Sequence, residues 1–259
     1  MHMDKRERQS GSELKVTAQM TGTEELGRTI RAALEREIRI NLHRYPIRVE
    51  RADGSWVLEG EVESVSAKKL ALRLAGSTPA VTSIVDRLRV APQSPMTDSE
   101  IRDHFCDHLQ REPALEECGI ELDVKGHWEP IRQPATDESG IVRAAVHDGR
   151  ITLSGRVPSL THQRLVGVLA WWVPGTRDVV NGLTVAPHQE DSDGELADAV
   201  QRVLPKDPFV DASTIRVRCR NGIVILEGVV RSREVARIAV ADAWYVLGVE
   251  EVVDRLVTA

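Results

Sequence analysis

The sequence predicts an α+β protein made of three tandem αββαβ units, each a three-stranded mixed sheet with two helices on one face. Three observations lead there. Asp53-Gly54, Leu58-Glu59-Gly60, Val62 and Ser64 return as Asp148-Gly149, Leu153-Ser154-Gly155, Val157 and Ser159, and again as Asn221-Gly222, Leu226-Glu227-Gly228, Val230 and Ser232. Each block is followed at one fixed distance by Val85-Asp86-Arg87-Leu88, Val180-Asn181-Gly182-Leu183 or Val253-Asp254-Arg255-Leu256. Around every block the apolar spacing switches between helical and strand periods. A fixed internal period marks a reused structural unit.

Each unit opens on a helix. Leu26, Ile30, Ala33, Leu34 and Ile38 form the first apolar stripe, Ile101, Phe105 and Leu109 the second, and Leu196, Val200, Val203 and Leu204 the third. Thr97-Asp98-Ser99-Glu100 is a good helix start, and Pro205 is a stop. Two strands follow, joined by Asp-Gly or Asn-Gly, whose residues tolerate the positive φ a tight hairpin needs. Gly54, Gly149 and Gly222 serve that turn. Gly60, Gly155 and Gly228 mark a bulge or close backbone approach at the end of the returning strand. Ser64, Ser159 and Ser232 are N-caps of a second helix, and Pro79, Pro174-Gly175 and Gly248 stop it. Ile84-Val85, Val179-Val180 and Val252-Val253 begin the closing strand, which continues through Leu88, Leu183 and Leu256.

This gives a polar segment at 1–22 and units at 23–91, 97–186 and 194–259. Residues 92–95 and 187–193, polar and Pro-bearing, are the linkers. Only the second unit carries an insertion, at about 112–140. There, either Ile120–Lys125 or Ile141–Val146 is the unit's first strand; the latter keeps the register with Asp148-Gly149 and is preferred.

Composition narrows the function. The chain has 29% charged and 41% hydrophobic residues, the balance of a globular protein. No apolar run reaches the ~18 residues of a membrane-spanning helix. The net charge of −6 is unevenly spread. Residues 23–91 hold 12 Lys and Arg against 10 Asp and Glu, residues 97–186 hold 9 against 14, and residues 194–259 hold 9 against 10. No unit is strongly basic, so no nucleic acid is expected as a partner. Three cysteines, Cys106, Cys118 and Cys219, do not suggest a disulfide framework. The N-terminus lacks the apolar core of a secretory leader, so the expected location is cytoplasmic, or periplasmic if a leader has been removed; Met1-His2-Met3 resembles a vector-derived start.

The Asn-Gly hairpin, the Leu-Glu-Gly-x-Val-x-Ser step and the Gly-Val-x-x-Val-Val-Asp entry to the closing strand resemble the BON domain (bacterial OsmY and nodulation). Asn221 to Leu256 carries the pattern best; the first copy has Ala80 where the Gly before its last strand would stand. The resemblance covers most of the chain. It implies an αββαβ unit without enzymatic activity, in a family whose members are often envelope or periplasmic. They bind anionic phospholipids, support membrane integrity under osmotic or other stress, or act as interaction modules. Some cytoplasmic relatives bind potassium, which makes a small-ligand or monovalent-cation sensor the alternative.

Three groups of residues could carry binding. Trp171-Trp172 and Trp244-Tyr245 occupy equivalent positions late in the second helices, with Arg164 and Arg237 seven residues earlier on the same face. Such pairs suit an interfacial membrane contact, or they pack repeat against repeat with an indole N–H reaching a partner. Arg216, Arg218 and Arg220 alternate along one strand face opposite Ile215, Val217 and Cys219. They form either a basic ladder for anionic headgroups or an acidic protein partner, or a solvated strand face. His104 and His108 share a helix face, but with Cys106, Cys118 and His127 they match no familiar zinc spacing, and no metal or cofactor is expected. No Ser/His/Asp set, phosphate loop or paired carboxylates occur at a usable spacing, so no catalytic residue is assigned.

Overall fold

Residues 23–259 are described by a computed structural model; the polar segment 1–22 lies outside them. The three hairpins anchor the architecture. Both central residues of each turn have positive φ: 49° and 81° at Asp53-Gly54, 50° and 72° at Asp148-Gly149, 51° and 72° at Asn221-Gly222. Two such residues twist the turn in the sense the flanking strands require.

The described residues fall into two compact units, one ending at Arg89 and one spanning Val90–Ala259. The first holds helix α1 (23–36), the hairpin β1 (Ile47–Ala52) and β2 (Ser55–Val62), helix α2 (Val65–Gly76) and β3 (Ile84–Val90), with sheet order β1-β2-β3. Ile30 and Leu34 of α1 and Leu70, Ala71 and Ala75 of α2 are buried, as are Val49, Leu58 and Leu88 of the strands. Ile38 departs from the expected stripe: α1 ends at 36 and Ile38 is exposed. The Glu37 carboxylate accepts from the backbone N–H and guanidinium of Arg39, which turns the chain there.

The larger unit holds two repeats. In its C-terminal repeat, α5 (Asp193–Val203) and α6 (Arg233–Tyr245) cover β10 (Ile215–Arg220), β11 (Ile223–Val230) and β12 (Glu251–Thr258). β10 pairs antiparallel and β12 parallel to β11, so the sheet is mixed. The preceding repeat keeps the same plan in α3 (Asp98–Arg111), β6 (Ile141–His147), β7 (Arg150–Val157), α4 (Leu160–Trp171), and β8 (Asp178–Asn181) with β9 (Thr184–Val185). Here the expectation of three strands is corrected. The insertion folds as a hairpin, β4 (Gly119–Val124) and β5 (His127–Arg132), and β4 pairs parallel to β6, giving a sheet of six strands in which β9 also pairs β7. Ile141–His147 is the repeat's own first strand, as the register suggests. Arg132 ties the hairpin down through the carbonyls of Cys118 and Leu115, and Glu121 receives the Arg143 guanidinium from β6.

Two side-chain devices recur and explain repeat landmarks. Ser64, Ser159 and Ser232 each accept an N–H three residues on, from Ala67, His162 and Val235 at 3.2–3.3 Å. The side-chain oxygens of Asp86, Asn181 and Asp254 each accept the N–H of the Leu two residues on, at 2.9, 3.3 and 2.9 Å. An Asx turn of this kind re-aims the closing strand.

A third device ties the first helix of each of the last two repeats to its hairpin. Asp98 accepts the N–H groups of Asp148 and Gly149, and Asp193 those of Asn221 and Gly222. These bonds, first from Gly222, then from Asn221 and the Cys219 thiol, hold Asp193 below the usual carboxylate range. Its contribution is therefore present above that range and lost as pH falls through the lowered value. Asp193→Ala is expected to lower the melting temperature at pH 7 and to melt like the parent in strong acid. A deficit persisting unchanged in acid would show that the carboxylate is not its source.

Candidate functional site: a helical joint and an outward sheet

The helix α4 decides what is inside. It contacts α3, α5 and α6 as well as its own sheet. Arg164, Leu165, Val166, Gly167, Val168, Leu169 and Ala170 are all buried in succession. A helix apolar nearly all round has no solvent face, and that pattern is visible in the sequence. The helices of the last two repeats thus form a joint, and their sheets turn the opposite faces outward.

Most of the aromatic and basic residues expected at a membrane contact lie in this joint instead. Trp171 stacks on Tyr245 across the repeats, with ring centroids 6.1 Å apart and planes at 15°. Trp172 donates its indole N–H to Asp242 Oδ1 at 2.8 Å. Trp244 is buried. Arg164, 2% exposed, is corrected from a surface residue to a buried one. Its Nη2 donates to both Asp191 oxygens at 2.6 and 2.7 Å, and its Nε to the Leu247 carbonyl at 3.0 Å. Burying a guanidinium demands such partners. Arg237 alone of this set is exposed, 3.6 Å from Glu234.

Asp191, Asp242, Glu112 and Lys206 complete the joint and escape sequence reading. Lys206 Nζ lies 2.6 Å from Glu112 Oε1, joining the two repeats. Asp191 reads as a solvated linker residue. Asp242 carried a signal: it falls at the edge of the apolar stripe of α6, two residues before Trp244. Burial pushes its carboxyl up to about 7, against the Trp172 N–H, which lowers it, and with the nearby charge of Asp207.

Arg216, Arg218 and Arg220 are all exposed on β10, while Ile215 is buried and Val217 and Cys219 are half-buried. On the same outward face, Val229 and Val257 are 47% and 59% exposed. Arg218 and Arg255 converge on Glu227, at 3.8 and 3.0 Å. A cleft of about 500 Å³ beside this row is lined by Gln201, Ser213, Thr214, Ile215, Arg216, Glu227 and Gly228. A cleft of about 430 Å³ lies at the equivalent place in the first repeat, lined by Pro46, Ile47, Arg48, Glu59 and Gly60. In the repeat between them β4 occupies this edge.

Asp98, His147 and Asp148 bring three ligand-type atoms together at the surface, but both Asp98 oxygens already accept hairpin N–H groups. His108 Nδ1 lies 3.1 Å from the Leu169 carbonyl, where it packs α3 on α4.

Repeated αββαβ units, the last two with their helices joined and their charged sheet faces outward, define a modular binding scaffold. The chain belongs to the BON domain family, which it matches over residues 24–92, 135–187 and 192–259. The β4–β5 hairpin falls in the gap between the first two matches. Over 118 residues the chain is 33% identical to the outer membrane lipoprotein DolP of Haemophilus influenzae, an alignment covering 44% of this chain and 61% of that protein. The chain thus spans less than two thirds of that relative's length. Two structures of CdsD, a structural protein of the type III secretion system of Chlamydia trachomatis, one of them its C-terminal domain, align at 14% identity and a TM-score of 0.23. They cover 90% and 91% of this chain and 96% and 93% of their own. The cytoplasmic expectation does not stand: it rested on the polar N-terminus, whereas the curated relative is an outer membrane lipoprotein, which points to the envelope.

Proposed function

We propose that this protein is a non-enzymatic binding scaffold of the cell envelope. It has BON repeats at 23–91, 97–186 and 194–259, and the outward sheet of the third repeat meets anionic phospholipid. The observation that carries this reading is the juxtaposition on one open face of Arg216, Arg218 and Arg220 with exposed Val229 and Val257. Basic groups beside apolar ones suit a surface with negative headgroups over hydrocarbon. The envelope setting is supported by the likeness to an outer membrane lipoprotein, and the stress context by the family. Trp171, Trp172 and Arg164 take no part; they hold the last two repeats together.

Vesicle flotation tests the proposal. Binding is expected to neutral phosphatidylcholine vesicles only when phosphatidylglycerol is added, and to weaken with salt. Each basic residue near such a surface is worth about 1 kcal/mol, so replacing Arg216, Arg218 and Arg220 together by Ala is expected to weaken binding roughly hundredfold. Equal binding to neutral vesicles, or an undiminished triple variant, would overturn it.

A further inference from the structure

We propose that the joint between the last two repeats is a proton-operated latch, closed while Asp242 is neutral and loosened when that carboxyl ionises. Asp242 lies on α6, is 2% exposed, and reaches across to α4, where Trp172 donates to its Oδ1. Its Oδ2 is buried with no hydrogen-bond partner among the described residues. A buried carboxylate with one oxygen unpartnered is poorly placed to hold a full charge.

The surroundings reinforce this. α5 presents Leu196, Ala199, Val200 and Val203, and the strands beneath α6 present Val224, Leu226, Val252 and Leu256, all apolar and buried. The charged group acting on Asp242 from the segment after α5 is Asp207, of like sign. On its own helix stands Tyr245, whose phenol is pushed up to about 12 by burial, Asp242 and Asp207. The cations of the joint are engaged elsewhere, Arg164 by Asp191 and Lys206 by Glu112. Among the described residues, Trp172 is the neighbour that favours the ionised form.

The sign follows from linkage. Opening returns Asp242 to water and to the ordinary carboxylate range, while the closed joint keeps its proton to about pH 7. Closure is therefore strongest in acid, weakens as pH rises toward 7, and is weakest and level above it. Such a joint would tighten when the medium around the protein acidifies.

Hydrogen exchange on the intact chain, corrected for the intrinsic pH dependence of exchange, reads the opening directly in peptides from α4 and α6. The opening constant is expected to rise roughly tenfold per pH unit from 5.5 to 7 and then level off, while the β1–β2 hairpin of the first unit shows no such slope. Asp242→Asn is expected to remove the slope. Trp172→Phe, which removes the donor that favours the charge, is expected to move the levelling-off to higher pH. A wild-type joint without the slope, or Asp242→Asn with the same slope, would overturn the proposal. Should Asp242→Asn fail to fold, an unmoved levelling-off in Trp172→Phe would overturn it equally.

Discussion

Gly228→Ala is expected to destabilise the larger unit by about 4 kcal/mol, combining ~1–3 kcal/mol for a strained φ with a similar cost for overpacking. Gly228 sits at φ +149°, opposite Ile215 in the register of β10 and β11. A Cβ there would lie 2.0 Å from the Thr214 carbonyl oxygen, which belongs to the backbone and cannot swing aside like the end of a long side chain. Gly155, at φ +108°, where a Cβ would lie 2.1 Å from the Ile141 oxygen, is the same position one repeat earlier and should respond alike. A domain is stable by only about 5–15 kcal/mol, so either change removes a large share, readable in urea melts. A loss under about 1 kcal/mol would show that the first strand of the repeat can slide away from its partner.

Asp191→Ala is expected to cost more than Arg164→Met, although Asp191 is the exposed member of the pair. Removing the carboxylate strands a guanidinium that is 2% exposed and whose Nη1 already lacks a partner among the described residues. Breaking a buried pair from one side costs about 3–5 kcal/mol, whereas replacing a buried charge by an apolar side chain of similar volume is often near neutral. The solvent around Asp191 places the expected loss at the lower end, about 3 kcal/mol, against about 1 kcal/mol or less for Arg164→Met. Equal losses in denaturant melts would mean that the pair is screened and that Arg164 matters only for its bulk.

The fold was legible because its landmarks are backbone requirements. Positive φ at Asp53-Gly54, Asp148-Gly149 and Asn221-Gly222, the serine caps, and the glycines that abut a carbonyl oxygen leave a short choice of residues, and the choice repeats. The added strands were half-legible: the alternation of Gly119–Val124 was plain, but nothing local said which strand it would join. The candidate site was less readable, because burial across a repeat joint depends on which helix faces meet. Arg164 looked like a surface cation beside Trp171; the unbroken apolar run that follows it, Leu165 to Ala170, was the sign that α4 has neighbours all round. Asp191 gave no sign, since a carboxylate in a polar linker looks the same whether it meets water or a buried guanidinium.

The β4–β5 hairpin bears on self-association. In the first and third repeats the strand before the turn, β1 or β10, is the outermost strand of its sheet, with backbone groups open to pairing. In the second, β4 covers that strand and β5 becomes the rim. On this side of each sheet the rim is guarded against another copy docking edge to edge. β5 has Pro130, which cannot donate, beside Glu129 and Arg132; β1 has Arg48, Glu50 and Arg51; β10 has its three arginines. Two β10 strands brought side by side would set arginine against arginine. The ladder that suits a negative surface therefore also guards the β10 edge against pairing with the β10 edge of a second copy.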